Sequence, residues 1–454
     1  MPREELQAFI DATMDLQVKD LQSLVRIPSV SRGEPREGMP FGRDVHDALE
    51  EAFRIARDLG FTEMRSLDGK CGIIDYGEGD EMLMILAHLD VVPAGNGWTV
   101  EPFGGVLKDG RVYGRGTHDD KGAAVSALYA LAAVKDAGIP MRRRVRIFLG
   151  LDEEVGMGDI ERYKATEQEP DLAFTPDADY PVVNGEMNIG HVTYHCPLES
   201  AGFTASIGTA GNVIPGEAEA VLSTDAAACE LPEGYTLTID GGHIAVHGTG
   251  GHAAFPETAR NAMQALFEVL CAQYLPAPAY GAVSALHAMF DYDMHGESFG
   301  LDVTDASGRL TLMPTMLRAD DTGITVTLDT RFPTSLSGEA LLEKLDACFT
   351  ACGYVRTEAG ISLGHYVPED GELVSTLMDV YETHIGHAAK PYSIGGGTYA
   401  RDFKNAVAFG PTMEGAENMC HVADEYVTVA DLKFNTGVMA EAIARLAGQE
   451  TLNA

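Results

Sequence analysis

The chain of 454 residues is 45% hydrophobic and 22% charged, a globular composition with enough apolar material for more than one core. Acidic residues outnumber basic ones 69 to 32, a net charge of −37 that excludes nucleic acid and anionic membrane as partners, because phosphate recognition needs a basic surface. Seven scattered cysteines without a CxxC pair, an N-terminus without an apolar signal core and no run long enough to span a bilayer set the expectation of a reduced, cytoplasmic compartment.

In chain order, a first helix is expected from about Arg3 to Leu24, stopped near "RIPSVSRGEP" by Pro28. A second helix follows over roughly 43–58, then strands near 71–76 and 82–88. The helical stretch "KGAAVSALYALAAVKDAG" precedes another strand, "RRVRIFLG". This alternation predicts an α/β fold with a mostly parallel sheet flanked by helices. After "PVVNGE" (181–186) the pattern changes to β-rich segments, "HVTYHC", "AEAVLS", "HIAVHG" and "GITVTLDTRF", with two helical stretches near 259–273 and 338–351. Helix–strand alternation returns beyond 364. The expected organisation is one α/β domain, 1–186 and 365–454, interrupted by an inserted α+β domain at 187–364.

The strand "MLMILAHLD" is apolar until it ends in His88 and Asp90, where a polar pair must find partners or cost stability. In open parallel sheets, ligands bind beyond the carboxyl ends of strands. Three further acidic clusters lie at such ends or at a helix start: Asp119 and Asp120 in "RVYGRGTHDDKG", Asp152 to Glu154 in "RIFLGLDEEVG", and Asp177 and Asp179 in "LAFTPDADYP". His421 in "ENMCHVADE" adds an imidazole. Singly, each has a plainer reading: Asp119 or Asp120 as a helix cap, the acidic triplet as a solvated turn, His421 as a surface histidine. Together they would crowd like charge into one crevice, which bound divalent cations neutralise. Two His with several carboxylates and no Cys is a ligand set for Zn²⁺, Mn²⁺ or Co²⁺. Asp90, about 6–7 Å along the strand from His88 and on the same side, is placed to orient that imidazole. Consecutive Glu153 and Glu154 point apart, so one can hold a metal while the other acts as general base.

The motifs "HLDVVPAGNGW", "GRGTHDDKG", "DEE", "FTPDADYPVVNGE", "GGHAAFP" and "GGGTYAR" resemble the co-catalytic, dinuclear-zinc metallopeptidase family of aminoacylases, carnosinases and glutamate carboxypeptidases. The bacterial dipeptidase V branch is the nearest in pattern, and the likeness runs in order from "LVRIPSVS" to "MCHVADE". The resemblance implies a phosphorylase/hydrolase-like catalytic domain with an inserted lid. It also implies that Asp119 bridges two metals, with His88 and Asp177 completing one site and Glu154 and His421 the other. Glu153 would be the general base, Asp90 the partner of His88, and Asp120 a helix cap or support. On the lid, His252 would stabilise the oxyanion, and Asn212 and Arg331 would anchor substrate, Arg331 by bidentate pairing with a carboxylate. Gly395, Gly396, Gly397 and Thr398 would cradle a peptide carboxylate with backbone N–H groups. His118 departs from the small or apolar residues of relatives, as a decoy ligand or a space-filler, and Cys420 adjoins His421, where it is either a perturbing neighbour or an inert thiol.

The implied reaction is hydrolysis of a dipeptide with a free amino terminus, using two Zn²⁺, with Mn²⁺ or Co²⁺ as alternatives; the insertion of about 180 residues resembles the extended lid of monomeric dipeptidases, so a monomer is expected. The alternative is a related amidohydrolase that deacylates N-acyl amino acids or succinylated diamino acids. A non-catalytic metal-dependent binding protein is the rival of another class, and the presence of both Asp90 and Glu153 speaks against it. The expected partner is a small peptide substrate.

Overall fold

The computed structural model describes residues 3–449. The chain separates into two compact units. One comprises the chain up to Asn184, Val367–Tyr392 and the chain from Thr398 onward; the other comprises Gly185–Tyr366 and Ser393–Gly397. The short segment Ser393–Gly397 therefore groups with the second unit, although its position in the sequence suggested the first.

The first unit contains helices α1 (Arg3–Val25), α2 (Arg43–Asp58), α3 (Lys121–Asp136), α4 (Gly158–Thr166), α5 (Glu372–Ile385) and α6 (Val429–Ala447). The strands of its main sheet are β1 (Glu63–Leu67), β2 (Cys71–Tyr76), β3 (Met82–His88), β4 (Arg144–Gly150), β5 (Leu172–Thr175), β6 (Val183–Glu186, which runs on into the second unit) and β7 (Ala406–Ala408). They pair in the order β1-β2-β4-β3-β5-β7-β6. Parallel pairing is confined to the centre, β4 with β3, β3 with β5 and β5 with β7. Both edges are antiparallel; at one of them β1 and β2 are joined by a tight turn that leaves no room for a crossover.

Every residue of β3 is buried. Leu83, Ile85 and Ala87 enter the main core, whereas Met84 and Leu86 enter a second cluster with Phe148, Tyr163 and Tyr399. Burial on both faces explains an unbroken apolar run where a one-sided strand would alternate. The same logic applies to α3, buried nearly all round and packed between α1 and α6. Its first residue, Lys121, is fully buried and donates to the carbonyls of Leu24 (3.0 Å) and Ile27 (2.8 Å), at and just beyond the end of α1, each of which also accepts a backbone N–H. No helix among the described residues is long and apolar enough to cross a membrane.

One buried ion pair ties β2 to β4. Asp75 lies in register with Arg146, which donates from Nε (2.7 Å) and Nη2 (2.8 Å) to its two carboxylate oxygens. Burial pushes the Asp75 carboxyl up, but the hydrogen bonds and charge of Arg146 outweigh it and the net shift is down. Asp75→Ala removes both of these bonds and leaves Arg146 only its Nη1 contacts with Glu167 (2.8 Å) and Tyr163 (3.1 Å), and chemical denaturation should show a loss of about 3 kcal/mol. A carboxyl depressed in the folded state contributes stability that is present above its unfolded value near 4 and is lost as pH falls through the lower folded value. The wild-type advantage over Asp75→Asn should therefore shrink only below about pH 4.

The second unit is built on an eight-stranded sheet in the order Thr236–Asp240, His243–His247, Glu217–Leu222, Phe203–Ile207, Thr311–Ala319, Gly323–Phe332, Asn188–Pro197, Val355–Ser362, antiparallel throughout. Glu217–Leu222 alternates strictly between exposed and buried positions, as expected of a sheet covered on one face. Its core joins Val192, Tyr194, Ile244 and Val246 to Leu266, Phe267 and Phe349 from helices Ala262–Cys271 and Gly338–Ala351. A third helix, Ala277–Met289, was not anticipated; its sequence is rich in small residues and has little helical periodicity of its own.

Candidate active site

The three central strands of the first unit end side by side. His88 closes β3 in register with Gly150, the last residue of β4, and Thr175 closes β5. Their continuations carry Asp90, Glu153, Glu154 and Asp177, and the turn into α3 brings Asp119. This is the crevice beyond the carboxyl ends of a parallel sheet.

The side chains converge. Nε2 of His88 lies 3.0 Å from Asp119 Oδ1 and 3.8 Å from Asp177 Oδ2. On the other side, Nε2 of His421 lies 3.1 Å from Asp119 Oδ2 and 3.2 Å from Glu154 Oε2. Asp119 thus turns one oxygen to each imidazole. His88, Glu153 and Asp177 offer ligand atoms within 4.8 Å of one another, as do His88, Asp119 and Glu154. His421 takes the left-handed backbone region (φ 61°), which residues bearing a β-carbon rarely adopt and which is concentrated at functional sites.

The electrostatics are those of crowded acids. Burial, then the charge of Asp177, raises the Glu153 carboxyl well above the usual range; burial, then Asp119, does the same to Asp177. Burial also opposes ionisation of Asp119, but hydrogen bonds from His421 and His88 outweigh it and hold this carboxyl low. His421 is pushed up to about 10 by Asp119 and Glu154. Oε1 of Glu154 is buried without a hydrogen-bond partner among the described residues. Imidazole nitrogens, carboxylate oxygens and an unsatisfied buried acceptor form a donor set that fits divalent cations.

Residues around this group position it. Nδ1 of His88 lies 2.9 Å from the backbone oxygen of Asp90 and 3.4 Å from its carboxylate. The nearer partner is therefore the carbonyl, not the expected carboxylate. That carboxylate instead accepts the N–H groups of Glu153 (3.2 Å) and Glu154 (3.3 Å) and the Ser31 hydroxyl (2.7 Å), which sets how the two glutamates leave β4. Asp120 makes no side-chain cap on α3; its carboxylate accepts the His88 N–H at 3.1 Å. Tyr399 sets its ring edge-on to His88 and bonds Asp159, which accepts from the N–H groups of Leu151 and Asp152. His118 turns away to Thr412 Oγ1 at 3.1 Å, and burial, reinforced by the surrounding acids, keeps the Cys420 thiol protonated.

Glu425 was missed in the sequence. It is fully buried, and its Oε1 accepts the N–H groups of Gly116 (3.0 Å), His118 (2.8 Å) and Asp119 (3.2 Å), while Oε2 takes Arg115 Nη1 at 2.6 Å. A carboxylate gathering these amides fixes where Asp119 points. Glu425→Gln keeps the shape but sets an amide group against Arg115. Chelator competition should show metal binding weakened about 10- to 100-fold.

The second unit holds its own group. Asn212 lies 3.4 Å from His252 Nε2, and the Ala254 N–H donates to Nδ1 at 3.1 Å, which leaves Nε2 to carry the ring proton of the neutral imidazole. Burial, then the nearby Arg331 charge, lowers the His252 pKa and favours that neutral form. Arg331 departs from expectation. Its Nε and Nη2 are both engaged at 2.9 Å by Asp329, and Nη1 donates to the Gly395 carbonyl at 2.6 Å. Its two-pronged face is held by an internal carboxylate, so a second carboxylate cannot take that face in this arrangement. A β-carbon on Gly395 would stand 2.9 Å from that of Ala254, so only glycine fits there. Gly396 and Gly397 continue that segment, whereas Thr398 belongs to the first unit and accepts from the Ala400 N–H at 3.1 Å.

An α/β unit that gathers carboxylates and imidazoles beyond its strand ends, with an inserted antiparallel unit, defines the architecture of a metal-dependent hydrolase. Residues 84–445 match peptidase family M20/M25/M40, and the chain belongs to that family. It is 34% identical over 452 residues, 95% of this chain and 97% of the relative, to a Bacillus subtilis (strain 168) protein provisionally named dipeptidase YtjP. It is 31% identical over 470 residues to the beta-Ala-Xaa dipeptidase of Lactobacillus delbrueckii subsp. lactis, covering 97% of this chain and 98% of the relative. Among solved structures, the aminoacylhistidine dipeptidase of Vibrio alginolyticus shares the fold with a TM-score of 0.59 at 17% identity, covering 95% of this chain and 96% of that one.

Proposed function

We propose that this metallopeptidase is a dipeptidase, hydrolysing dipeptides that carry a free amino terminus. The observation that supports this most is Asp119, whose two oxygens face His88 at 3.0 Å and His421 at 3.1 Å. His88 and Asp177 would hold one divalent cation, Glu154 and His421 a second, and Asp119 both; zinc is the first choice, manganese or cobalt the alternatives. When bound, the cations supply Lewis-acid polarisation and make a water acidic enough to ionise near neutral pH.

The chain's own residues do the rest. Glu153, with a carboxyl raised by burial, takes the proton of the attacking water and returns it to the departing amine. Asp90 holds Glu153 through its backbone N–H. His252 presents Nε2–H as a donor for the developing oxyanion, with Asn212 beside it. Arg331 aligns Gly395 and its neighbours, which offer N–H groups to the peptide carboxylate. The acids around Asp177 receive the substrate ammonium. The seven free cysteines suit a reduced cytoplasm, and the extended inserted unit suits a monomer.

A dipeptide compared with its N-acetylated form tests the substrate class. Acetylation removes the ammonium, so kcat/KM should fall about 30- to 100-fold. Faster cleavage of the acetylated compound would point instead to an amidohydrolase acting on N-acyl amino acids.

A further inference from the structure

Within the first unit lies a cavity of about 580 Å³, in the size range of small-molecule sites. Its walls come from Asp179–Pro181, Ala388–Tyr392 and Thr412–Asn418. Two of these walls are knitted together by parallel pairing of Ala178 with Pro411 and of Asp179 with Thr412. Each of these two also runs directly into the candidate metal group: Asp177 stands two residues before Asp179, and His421 three residues after Asn418. Along extended chain, two residues span about 6–7 Å, within reach of one long side chain.

The lining combines apolar surface with a partly buried acid. Met413, Ala389 and the ring of Tyr392 supply the first. Asp179 supplies the second; it is half-buried and its Oδ2 lies 3.4 Å from the Tyr392 hydroxyl. Lys390 and Glu414 also line the cavity, but both are exposed, so solvent screens their opposite charges. The least screened charge facing the cavity is therefore negative.

We infer that this cavity is the specificity pocket for the side chain of the dipeptide's N-terminal residue, and that Asp179 selects a basic head group on an aliphatic stem. The inference rests on the dipeptidase reading above. Lysyl-alanine, norleucyl-alanine and glycyl-alanine separate charge from length, assayed on the metal-loaded full chain. Asp179→Asn should lower the lysyl-to-norleucyl ratio of kcat/KM about tenfold. Ala389→Phe, which narrows the cavity, should lower the norleucyl-to-glycyl ratio by about the same factor. An unchanged first ratio in a folded Asp179→Asn protein removes Asp179 as selector, and an unchanged second ratio removes the cavity as the pocket, independently of how Asp179→Asn folds. Failure of the dipeptidase reading looks different: the wild-type chain would cleave none of the three.

Discussion

Alanine at position 153 should lower kcat by about three to four orders of magnitude while the metal content of the purified chain stays at the wild-type level. The two outcomes separate because Glu153 and Glu154 leave the same strand in different directions. Glu154 lies 3.2 Å from His421 and keeps one buried oxygen without a hydrogen-bond partner among the described residues, the situation of a ligand. Glu153 stands among His88 and Asp177, where burial and the Asp177 charge favour its protonated form. A carboxyl whose affinity for protons is raised in this way is suited to accept one and release it later. Elemental analysis beside steady-state kinetics decides the matter. Wild-type turnover would remove Glu153 from the chemistry, and loss of one metal equivalent would place it among the ligands.

Exhaustive treatment with chelator should abolish peptide hydrolysis, and adding back Zn²⁺, Mn²⁺ or Co²⁺ should restore it to degrees that reveal the preferred ion. Removal should also destabilise the fold. A ligand present at 1,000 times its Kd stabilises the native state by about 4 kcal/mol. Here the loss is compounded by repulsion among Asp119, Glu153, Glu154 and Asp177, which no longer share a counter-charge. If these acids were only helix caps and solvated turns, chelation would change neither activity nor thermal midpoint. Following both together tests the whole group at once.

Much of the first unit was legible because its signals are local. The unbroken apolar run of β3 and the all-round apolar α3 announce elements buried on every side, and the acids that follow the strands mark the edge where burial ends. That His88, Asp119, Glu154, Asp177 and His421 share one group was implied by the motif resemblance, while the local pattern alone suggested only that acids at strand ends face one crevice. What escaped depends on distant partners. Glu425 clamps the Asp119 turn through Arg115, 310 residues away in sequence, and nothing near either residue announces the pairing. The engagement of Arg331 by Asp329 was hidden differently: alternate residues of a strand share a face, but an arginine's reach to a substrate or to its own neighbour reads the same. The edge strand β1 is mostly exposed and lacks an apolar signature, and Ala277–Met289 becomes a helix by packing rather than by pattern.

The interrupted path of the first unit also shapes its biosynthesis. Strand β7 sits between β5 and β6, and α6 packs on α1 and α3, yet both arrive after residue 400. The nascent sheet emerging from the ribosome therefore keeps an open edge beside β5 until Ala406–Ala408 has been made. The antiparallel unit is nearly continuous in sequence and completes its strands by Ser362, so it can collapse first. The unit that carries the metal group is thus the one whose sheet closes last, because its central strand order depends on a segment beyond residue 400.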